Sequence, residues 1–516
     1  MWTFKYFGII LFFLATKLSN AQSNTFSKLY PLKPFPSSVF NAVLVTDTAY
    51  YMTGVVSDSL PPFNPKPIFV RSNTDGNIQV IKMYKDGSKN YETWHQGMYF
   101  DDNGNIVTNG YIFNNPDKKE NFFIRYRQTG EVDTIIEMDN SIHNIDVNYS
   151  MLMDKDRNFI VPVNSNPNWY ATNILYKLDH QGNVINKKTY NPNNGNLLLI
   201  RMDTTKNGFV LGGWQAPAGQ VKNGIHQTII VEFDTLGNKT WEYESPIDED
   251  WTGTLGGIVS NDKDEIIYVS GKGYLFDTFA ISDVFKNKWY ASKIGKDKKI
   301  IWRTLIPSFA DNSIEVSRFW NILKLRDKMN YLSMGMLADS MTGIYVWITK
   351  FSDDGKILWN RNYKMESDTN GYQYEIRDMA EDKEGNLIAV GERLDLVRQG
   401  FNTQQGLLMK LDKHGCLTPG CHLVSTKDEH KEIINIKIYP NPATDFITFY
   451  FDENIKLKVN QYCIRDMSGQ IIKEIRPLMP DIHYVIHTND FISGTYIIQF
   501  LKDGHLVKSE KFIISH

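Results

Sequence analysis

Val231-Glu232-Phe233-Asp234-Thr235-Leu236-Gly237-Asn238-Lys239-Thr240-Trp241 is the stretch that decides the fold. A run rich in β-branched and aromatic residues halts at Asp, turns over to Gly, and resumes as a second run carrying an aromatic. The same text stands at Leu178-Asp179-His180-Gln181-Gly182 and at Lys350-Phe351-Ser352-Asp353-Asp354-Gly355-Lys356-Ile357-Leu358-Trp359. The turn glycines are Gly76, Gly130, Gly182, Gly237, Gly355 and Gly415, with Lys296-Asp297 in place of one. Their mean spacing is about 56 residues. A second mark alternates with the first. It is a turn rich in Asp and Asn followed by a strand closing on glycine, as in Asn103-Gly104-Asn105-Ile106-Val107-Thr108-Asn109-Gly110. The closing glycines are Gly54, Gly110, Gly213, Gly271, Gly335 and Gly391, with Pro162-Val163 in one repeat, and they too recur about every 56 residues.

Two marks with one cadence predict four short strands per repeat. Seven such repeats over residues 22–424 predict an all-β, seven-bladed β-propeller. A single sheet cannot bury both of its faces, whereas a closed ring of sheets can. The seventh repeat runs out at Leu411 and lacks its outermost strand. Thr25 to Leu32, extended in pattern and otherwise unused, is expected to supply it and latch the ring. The closing glycines are expected where backbones crowd toward the channel.

The Asp234, Gly237, Trp241 spacing resembles quinone-dehydrogenase-like and other outer-surface propeller repeats. It departs from the sialidase Asp-box, because two residues separate Asp234 from Gly237. The resemblance implies fold alone, and no cofactor residue is carried over.

The composition agrees with a globular β protein. Of 516 residues, 42% are hydrophobic and 22% charged, and 11 Trp, 27 Tyr and 29 Phe accompany 35 Gly. The net charge of −3 gives no global field for nucleic acid, so none is expected as a partner. Residues 1–21 read as a signal peptide. Lys5 precedes the apolar run Tyr6 to Leu14, and Ser19-Asn20-Ala21 ends in a small residue suited to cleavage. The Sec translocon and signal peptidase are the expected partners there. No later run is apolar enough to span a bilayer. Of three cysteines, Cys416 and Cys421 flank Pro419-Gly420, whose turn favours a disulfide in an oxidising compartment. Cys463 has no evident mate.

Past a charged linker at 425–432 the text changes. Ile438-Tyr439-Pro440-Asn441-Pro442-Ala443, then Asp466-Met467-Ser468-Gly469, then Ser493-Gly494-Thr495-Tyr496 punctuate about seven short alternating strands over 433–516. This tail resembles the type A C-terminal sorting domain of the type IX secretion system. Tyr439, Pro440, Asn441, Pro442, Asp466, Gly469, Gly494, Thr495 and Tyr496 carry the likeness. It implies a small Ig-like β-sandwich, docking on the type IX translocon, cleavage by a sortase-like peptidase, and delivery to the outer surface of a Gram-negative bacterium.

Chemistry is harder to place. Walker, zinc-protease and nucleophile-elbow spacings are missing, and neither a cofactor nor a metal is expected. Asp101–Asn105 and Asp154–Asn158 look like fragments of calcium loops but read better as turns. Asp248, Glu249 and Asp250 are a candidate acid pair of unknown geometry. The long connections 85–96, 244–255, 272–287, 306–318, 364–375 and 393–405 should share one rim. Trp94, His95, Asp250, Trp251, Trp320, Tyr372 and Tyr374 lie there near the starts of inner strands. They are the candidate surface for a glycan or protein ligand, with packing between blades as the competing role. An extracellular hydrolase or lyase acting on that rim is the alternative.

Overall fold

The structure is a computed structural model. It describes residues 24–516 except 59–63, 86–89, 116–117, 138–144, 147–150, 166–171, 191–195, 217–226, 247–253, 273–287, 308–314, 340–342, 364–371, 396–403, 419–420, 422–435, 452–460, 467–469, 476–482 and 503–504. The chain divides into two compact bodies between Ser425 and Thr426.

The first body is all-β. Among the described residues its pairing groups into seven blades of four strands, antiparallel within each blade, with a parallel bridge from Ile344 to Gln373 joining the last two. Blade one shows the plan: Ser37–Val45, Ala49–Ser57, Lys66–Asn73 and Ile78–Met83, each hydrogen-bonded to the next. The later inner strands are Asn90–Phe100, the broken pair Ile145–Asp146 and Leu152–Met153, then Asn196–Thr204, Thr254–Ser260, Glu315–Lys324 and Tyr372–Glu381. Burial falls from the inner strands outward. Ala49–Ser57 is almost wholly buried, whereas Ile78–Met83 alternates between half-buried and exposed.

Among the described residues seven hydrophobic cores lie between consecutive blades, and one side chain in or just beside the inner strand of each blade wedges into the core it shares with the blade before it. These are Val43, Met98, Met151, Met202, Ile258, Ile322 and Met379. Because Val43 packs with Ile388, Val390 and Leu408 of the last blade, the circle is closed. The latch strand is Phe26–Tyr30. It pairs antiparallel with Gln404–Leu411, placing Leu29 opposite Leu407.

Both sequence marks have backbone causes. The inner strands carry a register break opposite the closing glycines: between Phe40 and Ala42, Leu199 and Arg201, Phe319 and Asn321, and Ile376 and Asp378. The bulged strand pushes its carbonyl onto the neighbouring strand. A Cβ at Gly391 would stand 1.9 Å from the Glu375 oxygen, so only glycine fits. In the turns the first Asp closes the loop on itself. Asp234 Oδ1 accepts from the backbone N–H groups of Leu236 (2.9 Å) and Asn238 (2.8 Å). Asp101 does the same for Asn103 (2.9 Å) and Asn105 (2.8 Å), as an Asx-type turn requires. The residue after the turn caps the next blade. Ile136 lies against Gly182, Lys188 against Gly237, Trp302 against Gly355 and Trp359 against Gly415, while Phe26 of the latch covers Gly76.

Among its described residues the second body has seven strands in two sheets, one of three strands and one of four. Ile447, Phe449, Ile464, Ile498, Phe500 and Phe512 form its core. The segment holding Asn441 and Pro442 runs beside the last strand, His505–Ile514. Asn441 Oδ1 accepts from Ile513 N (2.9 Å), and Ala443 N donates to Ile513 O (2.8 Å). An otherwise open sheet edge is thereby covered. Tyr496 is buried in the core, and its hydroxyl donates to Ile492 O (2.7 Å). Asp466 closes its turn by accepting from Gln470 N (2.9 Å). Cys416 and Cys421 are joined, with an S–S distance of 2.06 Å, and Cys463 is buried and free.

Candidate functional site

Each inner strand starts at the rim of long connections and ends at a tight turn. Tyr372–Glu381, for example, follows the connection 364–371 and runs into the turn at Asp382. The bulges sit midway along the inner strands; we call the level of the bulged residues the mouth and the cavity on the turn side the lower chamber.

At the mouth Arg318, Phe319 and Trp320 diverge by strand alternation. Phe319 is buried against Trp347 and Trp289, with ring centroids 4.3 and 5.2 Å away. Arg318 and Trp320 share the opposite face. The exposed Arg318 guanidinium lies over the half-buried Trp320 ring, 3.9 Å from its centroid. Arg377, the bulged residue of blade seven, brings its guanidinium to 5.9 Å from the same ring. Arg201 of blade four donates from Nε to the Trp320 carbonyl. Blades four and six are not neighbours, so this contact crosses the channel. Two guanidiniums, from blades six and seven, thus flank one indole, and a third from blade four holds the same residue's carbonyl.

Two glutamates oppose them. Glu375 and Glu392 face each other on adjacent strands. Arg377 Nη1 lies 2.7 Å from Glu375 Oε1, and Arg377 Nη2 pairs with Glu392 Oε1. Both glutamates are buried. Burial pushes the Glu375 carboxyl up, to about 7. Arg377 and Arg318 pull against that shift, and Glu392 adds to it. Trp320 Nε1 and Glu392 Oε2 are buried without a hydrogen-bond partner among the described residues. Buried polar atoms are rarely left so.

The lower chamber has a volume of about 590 Å³ and is lined by Tyr99, Asp203, Asn321, Lys324 and Asp378 among others. Its carboxyls clasp neighbouring blades. Asp203 Oδ2 accepts from Ser260 N (2.8 Å) of blade five, and Asp378 Oδ2 from Val43 N (3.0 Å) of blade one. Burial raises the first to about 6, against the pull of those N–H groups and of Lys324, and the second to about 7. Among the described residues no group of three His, Cys, Asp or Glu side chains is placed to hold a metal.

The residues singled out by sequence fare differently. Trp320 is the centre of the mouth. Tyr372, on blade seven, is half-buried, with the Arg393 guanidinium 4.3 Å from its ring centroid. Tyr374 is spent on the core between blades six and seven. Trp94 and His95 lie in Asn90–Phe100, between Thr93 and Met98 where the pairing breaks, and their side chains are outside the described set. Asp250 and Trp251, with Asp248 and Glu249, fall outside the described residues. Arg201, Arg318, Glu375, Arg377 and Glu392 escaped the sequence reading. Arg377 and Glu392 are 15 residues apart and Arg201 and Trp320 are 119 apart, so no local spacing announces the cluster.

Residues 437–515 match the family described as the Secretion system C-terminal sorting domain. The match falls within the second body. It marks a secreted or cell-surface protein exported by the type IX system. Among the described residues no helix is long and apolar enough to cross a membrane. No curated protein matches the chain. Among solved structures it is similar to the polysaccharide lyase Uly1, with 8% identity, TM-score 0.45, and coverage of 72% of this chain and 90% of that one. It is similar to a PL25 ulvan lyase bound to -[GlcA(1-4)Rha3S]-, with 9% identity, TM-score 0.46, and coverage of 74% and 96%. It is also similar to the α-L-arabinofuranosidase Arb93A from Fusarium graminearum, with 13% identity, TM-score 0.40, and coverage of 74% and 96%. At such identities no residue role passes from them to this chain.

Proposed function

We propose that this protein is a surface-delivered glycan-binding propeller whose ligand sits at the channel mouth on Trp320. The observation that carries the reading is the arrangement around that ring. Its ring is flanked by Arg318 and Arg377, and its buried N–H has no acceptor among the described residues. A sugar offers both a C–H face for an indole and hydroxyl oxygens for an unpaired donor. In this reading residues 1–21 are removed by signal peptidase after Sec export. Residues 22–424 form the binding module, 425–432 the linker, and 433–516 the address read by the translocon and a sortase. The kinship to quinone-dehydrogenase-like repeats concerns shape alone and brings no cofactor.

The test is a glycan array with the secreted chain, its Trp320→Ala variant, and Trp94→Ala and Trp251→Ala as rim controls. Binding that Trp320→Ala abolishes is the expected result. Wild-type protein that binds no glycan, or a variant that binds equally well, overturns it.

One observation favours a second reading, hydrolysis. Glu375 and Glu392 converge on a single guanidinium beside Trp320, and paired carboxyls are what glycosidic cleavage needs. Incubating each bound glycan with the protein and assaying new reducing ends decides it. Release that Glu375→Gln abolishes supports hydrolysis, and binding without release removes it.

A further inference from the structure

We infer that the lower chamber is a second ligand site, which takes an aliphatic diamine on the carboxylates of Asp203 and Asp378. The inference is independent of the glycan reading at the mouth.

Two carboxylates in the chamber lack counter-ions. Asp203 accepts from Thr204 N and from Ser260 N, each at 2.8 Å. Asp378 accepts from Met379 N at 2.8 Å and from Val43 N at 3.0 Å. All four donors are backbone N–H groups, and among the described residues no lysine or arginine pairs with either carboxylate. Lys324, whose charge reaches Asp203, is spent on Asp262 Oδ1 at 2.7 Å. Lys155 donates to Lys206 O, and Asp264 accepts from Lys206 N at 2.8 Å; both lysines stand exposed at the edge of the chamber. Burial therefore leaves Asp203 raised to about 6 and Asp378 to about 7, in spite of the N–H groups. A carboxylate taken out of water is offset best by a cation, and the chamber's own lysines do not supply one.

The chamber has room for a ligand that does. Its volume of about 590 Å³ falls among small-molecule sites, which span about 300–1,000 Å³. Asp203, Asp378 and Tyr99, from blades four, seven and two, all line it and all keep partial exposure. Burial raises the Tyr99 hydroxyl, and Asp203 and Asp378 add to the rise, so the fields of both carboxylates reach one group. That hydroxyl donates to Met151 O at 2.9 Å, and its oxygen can still accept. Thr205, two residues past Asp203 and so directed to the same side, lines the chamber as well. It is 4% exposed, and its Oγ1 has no hydrogen-bond partner among the described residues. Between these polar groups Met98, Met151, Met202, Ile258 and Ile322 provide apolar walls. Ammonium ends for the carboxylates and methylenes for the walls describe a diamine. An anion would meet two like charges, and a neutral polyol would leave those charges without offset. A bare metal ion fits less well, because among the described residues no three His, Cys, Asp or Glu side chains are grouped to hold one.

The test uses the intact secreted chain, with 1,4-diaminobutane as the probe and 1,4-butanediol as its neutral counterpart, titrated by calorimetry at constant ionic strength. Both amines stay charged from pH 5.5 to 8, whereas Asp203 and Asp378 ionise across that interval. The diamine is expected to bind at pH 8 and to weaken about tenfold or more at pH 5.5, and the diol is expected not to bind. At pH 6.5, titrations in two buffers of different ionisation enthalpy should show about one proton released per diamine bound, because the ammonium groups displace protons held by the two carboxyls. Asp203→Asn and Asp378→Asn should each weaken binding at pH 8 by about tenfold and lower the proton count. Thermal melts establish that the variants are folded; where one is not, the proton count and the diol comparison on the wild type decide. Absence of diamine binding at pH 8, equal binding of the diol, or binding without proton release overturns the inference. Binding that survives in both folded variants overturns it too.

Discussion

The indole nitrogen of Trp302 donates a hydrogen bond to the Asp353 carbonyl oxygen, 2.9 Å away. Trp302 belongs to the outer strand Ile300–Ile306 of blade five, and Asp353 to a turn of blade six. The same ring lies over Gly355 in that turn, and a Cβ there would stand 2.7 Å from it. The Asp353 carboxylate takes Lys293 Nζ of blade five at 2.7 Å and the Tyr331 hydroxyl at 2.9 Å. One turn therefore carries a ring contact, a hydrogen bond and an ion pair between two blades.

Trp302→Ala should cost about 2–3 kcal/mol, from lost ring burial and one lost hydrogen bond. Gly355→Ala should cost at least as much. Its φ of +84° disfavours any side chain, and the new methyl meets the indole. Gly385 has nearly the same φ, +83°, but the nearest atom to an added Cβ is 3.4 Å away. Gly385→Ala should therefore cost only the conformational part, about 1 kcal/mol. Denaturant melts of the two single variants and of Trp302→Ala/Gly355→Ala separate the effects. If the capping argument is right, the double variant loses clearly less than the two singles together. Strict additivity would count against it.

The repeat was legible because its marks answer to backbone geometry that glycine alone satisfies. Gly355 needs a positive φ, and Gly391 sits against the Glu375 carbonyl. Such constraints recur in most blades, and in blade five Lys298, with φ of +64°, takes the turn glycine's place. The aromatic after the turn was visible too, at Trp241, Trp302 and Trp359, but its partner lies one blade on. Trp241, for instance, donates to Lys296 O at 3.0 Å. The mouth was visible only through Trp320. Arg201, Arg318 and Arg377 come from three blades, and nothing near them in sequence distinguishes them from solvated arginines. Tyr374 misled for the opposite reason. At the start of an inner strand it looked available, and alternation turned it into the core.

The Asp203 and Asp378 clasps make stability depend on pH. Burial raises the folded-state values to about 6 and about 7, whereas an unfolded Asp titrates near ~3.9. The folded form holds these protons more tightly than the unfolded one. Their contribution is thus complete below about pH 4 and is lost as pH rises through 6 and 7. Glu375, also raised to about 7, acts in the same direction. The expected outcome is a melting temperature that declines from pH 5 to 7.5. Asp203→Asn/Asp378→Asn should lower stability at pH 5 and flatten that decline. An unchanged slope in the double variant would show that other groups set the pH response.

The ring is shut by its N-terminal strand. Phe26–Tyr30 pairs with the last propeller strand, and the same residues reach blade one. The Tyr30 hydroxyl donates to Gly76 O, and Lys28 Nζ donates to Asp75 O at 2.6 Å. Thr25 Oγ1 donates to Leu417 O, inside the loop closed by Cys416 and Cys421. Removing residues 22–30 takes away a strand, its ladder and the cover over Gly76, and bares the edge of Gln404–Leu411. Half-burial of Phe26, Leu29 and Tyr30 alone is worth about 3 kcal/mol. The truncated protein should melt lower and self-associate through the open edge. A synthetic peptide covering residues 24–32, added in trans, should bind it and restore the melting temperature, while leaving the intact protein unaffected. A truncation that melts like the full chain and ignores the peptide would mean that the seven blades hold together without a latch.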